Sequence, residues 1–131
     1  MPKKVAWGVL LALLVGCEER ERLVFGPDPD DRQGPTSIID PPATDTTLTE
    51  GDPFLIGARS VDPSGVDTAY IEVEGANLSY LPLEAEGEDT LSFAISLPTQ
   101  GFAGRTIAIG VSAKDVLGNL GPTVTRRLTI E

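Results

Sequence analysis

The single cysteine of this chain, Cys17, closes a segment whose composition is typical of an export signal. Lys3 and Lys4 give the segment a positive start, residues 5–15 are apolar apart from one glycine, and the small Gly16 directly precedes the cysteine. The apolar run covers about 11 residues, whereas a helix needs about 20 to cross a bilayer. We therefore predict a signal peptide here, and not a transmembrane anchor.

The four residues Leu14-Val15-Gly16-Cys17 resemble the lipobox of bacterial lipoproteins. In that family the cysteine thiol receives a diacylglycerol, the chain is cut before the cysteine, and the new amino group is acylated. The resemblance implies that residues 1–16 are a signal peptide and that lipid on Cys17 holds the protein at a membrane. The alternative is that Cys17 is an ordinary small hydrophobic residue at the end of an uncleaved signal.

The residue after the cysteine, Glu18, bears on which membrane holds the protein. In bacteria with two membranes, an aspartate at this position of a lipoprotein favours retention in the inner membrane. Because Glu18 is not an aspartate, the resemblance implies the outer membrane, at its periplasmic face or at the cell surface.

The composition excludes several classes of function. Removal of residues 1–16 leaves 8 basic and 20 acidic residues, a net charge of −12. Such a surface repels nucleic acids and anionic lipid headgroups, so we expect no nucleic-acid partner and attachment through lipid only. The chain has no histidine, which removes the usual general base and the commonest transition-metal ligand. Serines occur without a nucleophile-elbow motif, and we predict that the protein is not an enzyme.

The elements that follow Cys17 fall into two parts. Residues 17–35 are rich in proline, glycine and charge, a composition that cannot bury enough apolar surface to fold, and we predict a flexible linker. Residues 36–131 read as short alternating runs separated by turn signals. The apolar faces, with period two, are Phe54/Ile56/Ala58, Ala69/Ile71/Val73, Leu91/Phe93/Ile95/Leu97, Ile107/Ile109/Val111/Ala113 and Val124/Leu128/Ile130.

This pattern predicts an all-β fold, a single antiparallel β-sandwich of about seven strands. Residues 36–39, before Asp40-Pro41-Pro42, suit a first edge strand, and residues 77–83 suit a weaker edge strand broken by Pro82. Arg126 interrupts the apolar face of the last strand, which places a sheet margin near it.

Two stretches resemble loops of bacterial immunoglobulin-like and fibronectin type III-like domains. They are residues 113–119, Ala-Lys-Asp-Val-Leu-Gly-Asn, and residues 62–66, Asp-Pro-Ser-Gly-Val. The resemblance covers about residues 36–131 and implies an immunoglobulin-like sandwich. The paired cysteines and buried tryptophan of antibody domains are missing from this stretch.

In the usual strand order of such a sandwich, the loops at residues 62–67, 84–89 and 115–119 meet at one end. Their oxygen-bearing side chains suggest a calcium site, because Ca²⁺ takes six to eight oxygen ligands. The candidate ligands are Asp62, Asp67, Asp115 and Asn119. Against calcium, no tight run of ligands is present, and Asp and Asn are common in turns for local reasons.

Function is expected to lie in display and binding. The first hypothesis is a lipid-anchored envelope protein whose sandwich is an interaction or adhesion module, with another envelope or surface protein as its partner. A strand of that partner could add at an unpaired sheet edge, near a basic cluster of Arg105, Arg126 and Arg127, although edge charges commonly serve only to block aggregation. The alternatives are a calcium-dependent or carbohydrate-binding module and a structural spacer.

Overall fold

The computed structural model describes residues 32–131, and the signal segment and the start of the linker lie outside this range. The described chain forms eight strands and no helix, so it contains no helix able to cross a bilayer. The strands are β1 (Thr36–Ile39), β2 (Thr46–Leu48), β3 (Phe54–Val61), β4 (Val66–Glu74), β5 (Leu83–Glu84), β6 (Thr90–Leu97), β7 (Thr106–Asp115) and β8 (Val124–Ile130).

The strands form two sheets, with the orders β1-β3-β6 and β2-β8-β7-β4-β5. Neighbouring strands are antiparallel, except that β2 runs parallel to β8. This arrangement confirms the predicted all-β, immunoglobulin-like sandwich, in which non-consecutive strands become neighbours within each sheet.

The core lies between the two sheets and is built from the predicted period-two faces. On β7 all four residues of that face are buried, and Ile107 and Ile109 are fully inaccessible to solvent. The opposing sheet contributes side chains of β1, β3 and β6, which interdigitate with those of β7 and β8. The buried cluster is Ile39, Ile56, Ala58, Ile95, Leu97, Ile107, Ile109, Val111, Leu128 and Ile130.

The expected edge strand at residues 77–83 is largely absent, since only Leu83–Glu84 pair with β4. Pro82 has no N–H to give to a ladder, which limits pairing before Leu83. The preceding residues instead cross the side of the sandwich, where the hydroxyl of Tyr80 donates to the carbonyl of Ser96 at 2.8 Å. This segment therefore covers part of the open side between the sheets.

The packed domain begins before Thr36, inside the stretch predicted to be linker. Pro35 is fully buried, and Gly34 lies against the backbone of Gly121. A Cβ on Gly121 would overlap the Pro35 carbonyl oxygen, so only glycine fits this crossing. The last residues of the predicted linker are thus part of the folded domain, because they fill the space beside the loop after β7.

Candidate functional site

The three loops predicted to meet at one end of the sandwich are joined by backbone hydrogen bonds. The N–H of Asp62 donates to the carbonyl of Asp89 at 2.8 Å, and the N–H of Val66 donates to that of Glu88 at 2.9 Å. The N–H of Val116 donates to the carbonyl of Gly65 at 3.0 Å. We call this surface the loop end, and it consists of residues 62–67, 84–89 and 115–123.

Asp115, at the end of β7, organises the last of these loops. Its side chain is 1% exposed, and Oδ1 accepts hydrogen bonds from the backbone N–H groups of Leu117 at 2.9 Å and Asn119 at 2.8 Å. Oδ2 accepts from the amide Nδ2 of Asn119 at 3.0 Å. The structure thus brings two of the four predicted calcium ligands together, but in a hydrogen-bonded turn in which N–H groups point at both carboxylate oxygens.

Asp62 has a similar local role in the loop between β3 and β4. It is 3% exposed, and its Oδ1 accepts from the N–H of Ser64 at 2.7 Å. The bond spans two residues, which is the pattern of an aspartate that closes a turn on its own backbone.

Asp67 points elsewhere because it lies in a bulge between β4 and β7, where the register shifts between Val66 and Thr68. Its Oδ2 lies 3.6 Å from Nζ of Lys114 and accepts from the hydroxyl of Thr68 at 2.9 Å. Within residues 32–131 no three acidic side chains are grouped so as to hold a metal ion. Calcium binding stays a prediction. In the described residues Asp115 and Asn119 share a hydrogen-bonded turn, but the four predicted ligands do not surround a common point.

A second candidate site is a groove of about 260 Å³ on the outer face of the five-stranded sheet. Its floor is the central strand β7, where the outward positions hold the small residues Ala108 and Gly110. On β4, Glu72 lies beside Gly110 and Glu74 beside Ala108, while on β8 Arg127 lies beside Ala108. We call this feature the charged groove, and its lining is Asp45, Glu72, Glu74, Ala108, Gly110, Thr125 and Arg127.

The walls of the charged groove carry opposite charge. Neighbouring strands lie about 4.8 Å apart, and β7 lies between β4 and β8. The Cα atoms of the acidic residues on β4 are therefore about 10 Å from the Cα atom of the arginine on β8. Glu72, Glu74 and Arg127 are exposed, and none of the three side chains makes an ion pair within residues 32–131. The backbone N–H of Arg127 donates to Oδ1 of Asp45 at 2.8 Å, which fixes the rim beside it. The groove can therefore accept a ligand that carries both charges or several hydrogen-bonding groups.

The three arginines expected to cluster are separated by the fold. Arg127 faces the charged groove, whereas Arg126 points to the other face of β8 and reaches the first sheet. The Arg105 guanidinium lies over the ring of Phe102, 5.8 Å from its centroid, near the opposite end from the loops. The prediction of one basic cluster was wrong, because adjacent residues of a strand point to opposite faces.

Residue chemistry marked the loop-end residues in the sequence, while the charged groove escaped sequence reasoning. A signal for the groove was present, namely two small residues at neighbouring outward positions of a strand whose inward positions are all apolar. To predict the groove, one must also know which strands lie on either side of β7. The remaining predicted site residues, Leu14, Val15, Gly16 and Cys17, lie outside the described residues.

Comparison with solved structures finds the SrpA adhesin of Streptococcus sanguinis, with a TM-score of 0.54 and 16% sequence identity over 77% of this chain and 58% of the adhesin. A mutant of the same adhesin gives a TM-score of 0.54 at 17% identity, over 77% of this chain and 57% of that one. The chain thus spans under two thirds of the adhesin structures, and the likeness shows a shared β fold. Neither a protein-family model nor a curated protein matches this chain.

Proposed function

We propose that this protein is a non-catalytic lipoprotein of the bacterial envelope that presents its sandwich as an interaction or adhesion module. The observation that carries the proposal is the charged groove, whose exposed wall residues Glu72, Glu74 and Arg127 are left without ion-pair partners on the described domain. Exposed polar groups around small floor residues are what a recognition surface needs, since they leave room and donors for a ligand. The fold shared with an adhesin is compatible with this use.

Attachment in this proposal comes from lipid on Cys17, after removal of residues 1–16 at the lipobox-like Leu14-Val15-Gly16. Residues 32–35 enter the domain beside Gly121, so the anchor connects to the loop end. The net charge of −12 after processing argues against a basic membrane patch as the means of attachment. The proposed location is the outer membrane, because the residue after the cysteine is Glu18 and not an aspartate.

The anchor is tested by metabolic labelling of the full chain with a fatty acid in a bacterial host. The label is expected on the protein and should vanish with Cys17→Ser, whereas Ser37→Ala leaves it in place. Label that persists in Cys17→Ser would refute lipid attachment at this residue.

The interaction role is tested by affinity capture of the full chain from detergent-solubilised envelope. We expect one stoichiometric protein partner that is lost with Ala108→Tyr, which fills the charged groove, and with Arg127→Glu, which reverses one wall. Leu55→Tyr is the matched control, since Leu55 is 61% exposed on the outer face of the other sheet. Retention on a glycan column in place of a protein partner supports a carbohydrate-binding module. If neither a protein partner nor a glycan binds, the result supports the structural spacer.

A further inference from the structure

The turn after β7 exposes three large apolar side chains at the loop end. Val116, Leu117 and Leu120 are 43%, 41% and 65% exposed. In the described part of the chain, the other large apolar side chains that are exposed lie apart, namely Leu55 on β3 and Leu81 before β5. An isolated domain gains no stability from three such side chains in one short turn. Apolar groups gathered in this way mark a surface that another molecule covers.

Hydrogen bonds in this turn hold the three side chains outside the core. The buried carboxylate of Asp115 accepts from the N–H groups of Leu117 and Asn119, and the N–H of Asp115 donates to the carbonyl of Asn119 at 3.0 Å. The N–H of Val116 is bonded to the carbonyl of Gly65 across the loop end. Because these bonds fix the backbone, the apolar side chains are presented outward by a defined turn.

The chain enters the domain beside the same turn. Gly34 packs against the backbone of Leu120 and Gly121, so the residues before it leave the domain at the loop end. The predicted linker between Cys17 and Arg32 has about 15 residues, which reach about 50 Å at full extension. Lipid on Cys17 therefore keeps the loop end close to the bilayer, and a tether this short gives it a high effective concentration at the membrane surface.

We propose that the loop end docks on the membrane that holds the anchor, with Val116, Leu117 and Leu120 inserted between zwitterionic lipid headgroups. This inference rests on the lipid anchor proposed above. The bilayer is the apolar medium that the tether places nearest to this turn, and transfer of exposed leucine and valine side chains out of water is favourable. Strands of 8–10 residues separate the two ends of the domain, so the far end then stands about 30 Å from the membrane surface.

The charges of the loop end decide which lipid it accepts. Val116 lies against Gly87, in the turn that carries the exposed residues Glu86, Glu88 and Asp89. Docking brings these carboxylates within about one Debye length, about 8 Å, of the headgroups, where their charge is only partly screened. An anionic surface repels them, whereas zwitterionic headgroups carry no net charge. The surface that fits is therefore a neutral, zwitterionic one.

A fluorescent probe at the turn tests the docking. The full chain is purified with its lipid and placed in phosphatidylcholine vesicles, and nitrobenzoxadiazole is attached at Leu117→Cys, whose thiol is free because that of Cys17 carries lipid. The emission of the probe should shift to shorter wavelength and should be quenched by spin-labelled lipids. Gln100→Cys, which is exposed in the turn after β6 at the far end, is the matched control and should show neither change.

The anchor and the docking fail in different ways in this experiment. A chain that does not float with the vesicles lacks the anchor, which overturns the proposed attachment together with the docking. A chain that floats while its Leu117 probe behaves like the Gln100 probe has the anchor and overturns the docking by itself. A shift that needs a second copy or another envelope protein in place of lipid also overturns the docking.

Substitution of the neighbouring apolar residues gives a second measurement with the Leu117 probe. Val116→Ser combined with Leu120→Ser should lower the ratio of docked to undocked chains by about tenfold or more, because burial of both side chains is lost. Leu55→Ser combined with Leu81→Ser makes a similar change elsewhere and should leave the quenching intact. The four residues are exposed, so the thermal midpoint should change little in either variant. Equal loss of quenching in the two variants would overturn the proposal.

The charge of the vesicles tests the choice of lipid. Added phosphatidylglycerol should reduce the quenching of the Leu117 probe, and Glu86→Gln should recover part of it, because the variant removes one of the repelled carboxylates. Stronger quenching on the anionic vesicles would overturn the assignment of a zwitterionic surface.

Discussion

Asp115 illustrates at the residue scale how a buried carboxylate is accommodated without a counter-ion. Three N–H groups donate to its oxygens in place of water. They are the backbone N–H groups of Leu117 and Asn119 and the side-chain amide of Asn119. Hydrogen bonds to an ionised acceptor are stronger than neutral ones, and here they also shape the loop after β7. The residue that looked like a metal ligand in the sequence therefore has a full set of partners within its own turn.

Replacement of Asp115 tests this structural role. Asp115→Ala leaves the N–H groups of Leu117 and Asn119 without acceptors, and the free energy of unfolding should fall by about 1–3 kcal/mol. Asp115→Asn retains one acceptor oxygen and should cost less. Urea denaturation measures both as a shift in midpoint at constant m-value. The exposed Glu84→Ala is the control, and an Asp115→Ala chain as stable as that control would contradict the assignment.

Tyr80 should respond to alkaline pH because its side chain is partly buried. Burial raises the pKa of Tyr80 above its ordinary value, because the charged phenolate loses hydration. Between the unfolded and the folded pKa the native state binds more protons than the unfolded state. Stability from Tyr80 is thus complete below about pH 10 and is lost as the pH rises through the folded pKa.

A tyrosinate absorbance titration can follow this group separately. In a Tyr70→Phe chain, Tyr80 is the remaining tyrosine, and its transition should lie above that of the urea-unfolded chain. Tyr80→Phe should remove the part of the alkaline destabilisation that belongs to this residue. A transition at or below the unfolded value would show that the hydroxyl is solvated in the native protein.

At the scale of elements, the junction between the two sheets depends on Arg126 of β8. Its Nε donates to the carbonyl of Pro42 at 3.0 Å, and its Nη2 donates to that of Ile39 at 3.1 Å. One guanidinium thus binds the end of β1 and the turn that carries the chain from the first sheet to β2 in the second. An arginine on the apolar face of β8 is tolerated because it lies at the sheet margin and its donors meet carbonyls.

Arg126 and Arg127 provide a matched pair of variants. Arg126→Leu removes three charge-assisted hydrogen bonds, including those to Ile39 and Pro42, and should lower the free energy of unfolding by about 1–3 kcal/mol. Arg127→Leu, one residue away on the outer face, should change it by less than about 0.5 kcal/mol. Arg126→Lys should recover only part of the loss, since an ammonium group lacks the planar fork. Equal effects of the two leucine variants would contradict the assigned role of Arg126.

At the scale of the whole molecule, the chain enters and leaves the domain at opposite ends. Pro35 packs beside Gly121 at the loop end, whereas Glu131 exchanges hydrogen bonds with Leu48 and Glu50 at the far end. A tether on the N-terminal side therefore brings the loop end closest to its attachment point. The charged groove lies on the outer face of the five-stranded sheet, where it remains available to partners beside the domain.

The response to calcium is a property of the assembled loop end. Because N–H groups point at both oxygens of Asp115 and Asp67 lies beside Lys114, we expect the same thermal midpoint in millimolar calcium and in chelator. Differential scanning fluorimetry of the full chain measures this. A rise of several degrees with calcium, lost in Asp115→Asn and kept in Glu84→Gln, would instead support the calcium-dependent alternative.

The sequence by itself determined the β class, the inward face of each long strand and the meeting of the three loops. Alternation along β4, β6 and β7 reports burial directly, since successive side chains of a strand point to opposite faces. Turn residues such as Asp62 and Asp115 are likewise local, because their carboxylates bond to N–H groups two to four residues away.

Only the tertiary structure decided which strands became neighbours. Arg126 meets a carbonyl 87 residues away in the chain, and the charged groove needs β4, β7 and β8 side by side. Periodicity cannot supply this information, because it fixes the inside and outside of each strand but not the order of strands in a sheet. The lipid attachment predicted for Cys17 differs from the charged groove, because it depends only on a short linear motif. The fold decides only which surfaces of the domain such an anchor would hold near the membrane.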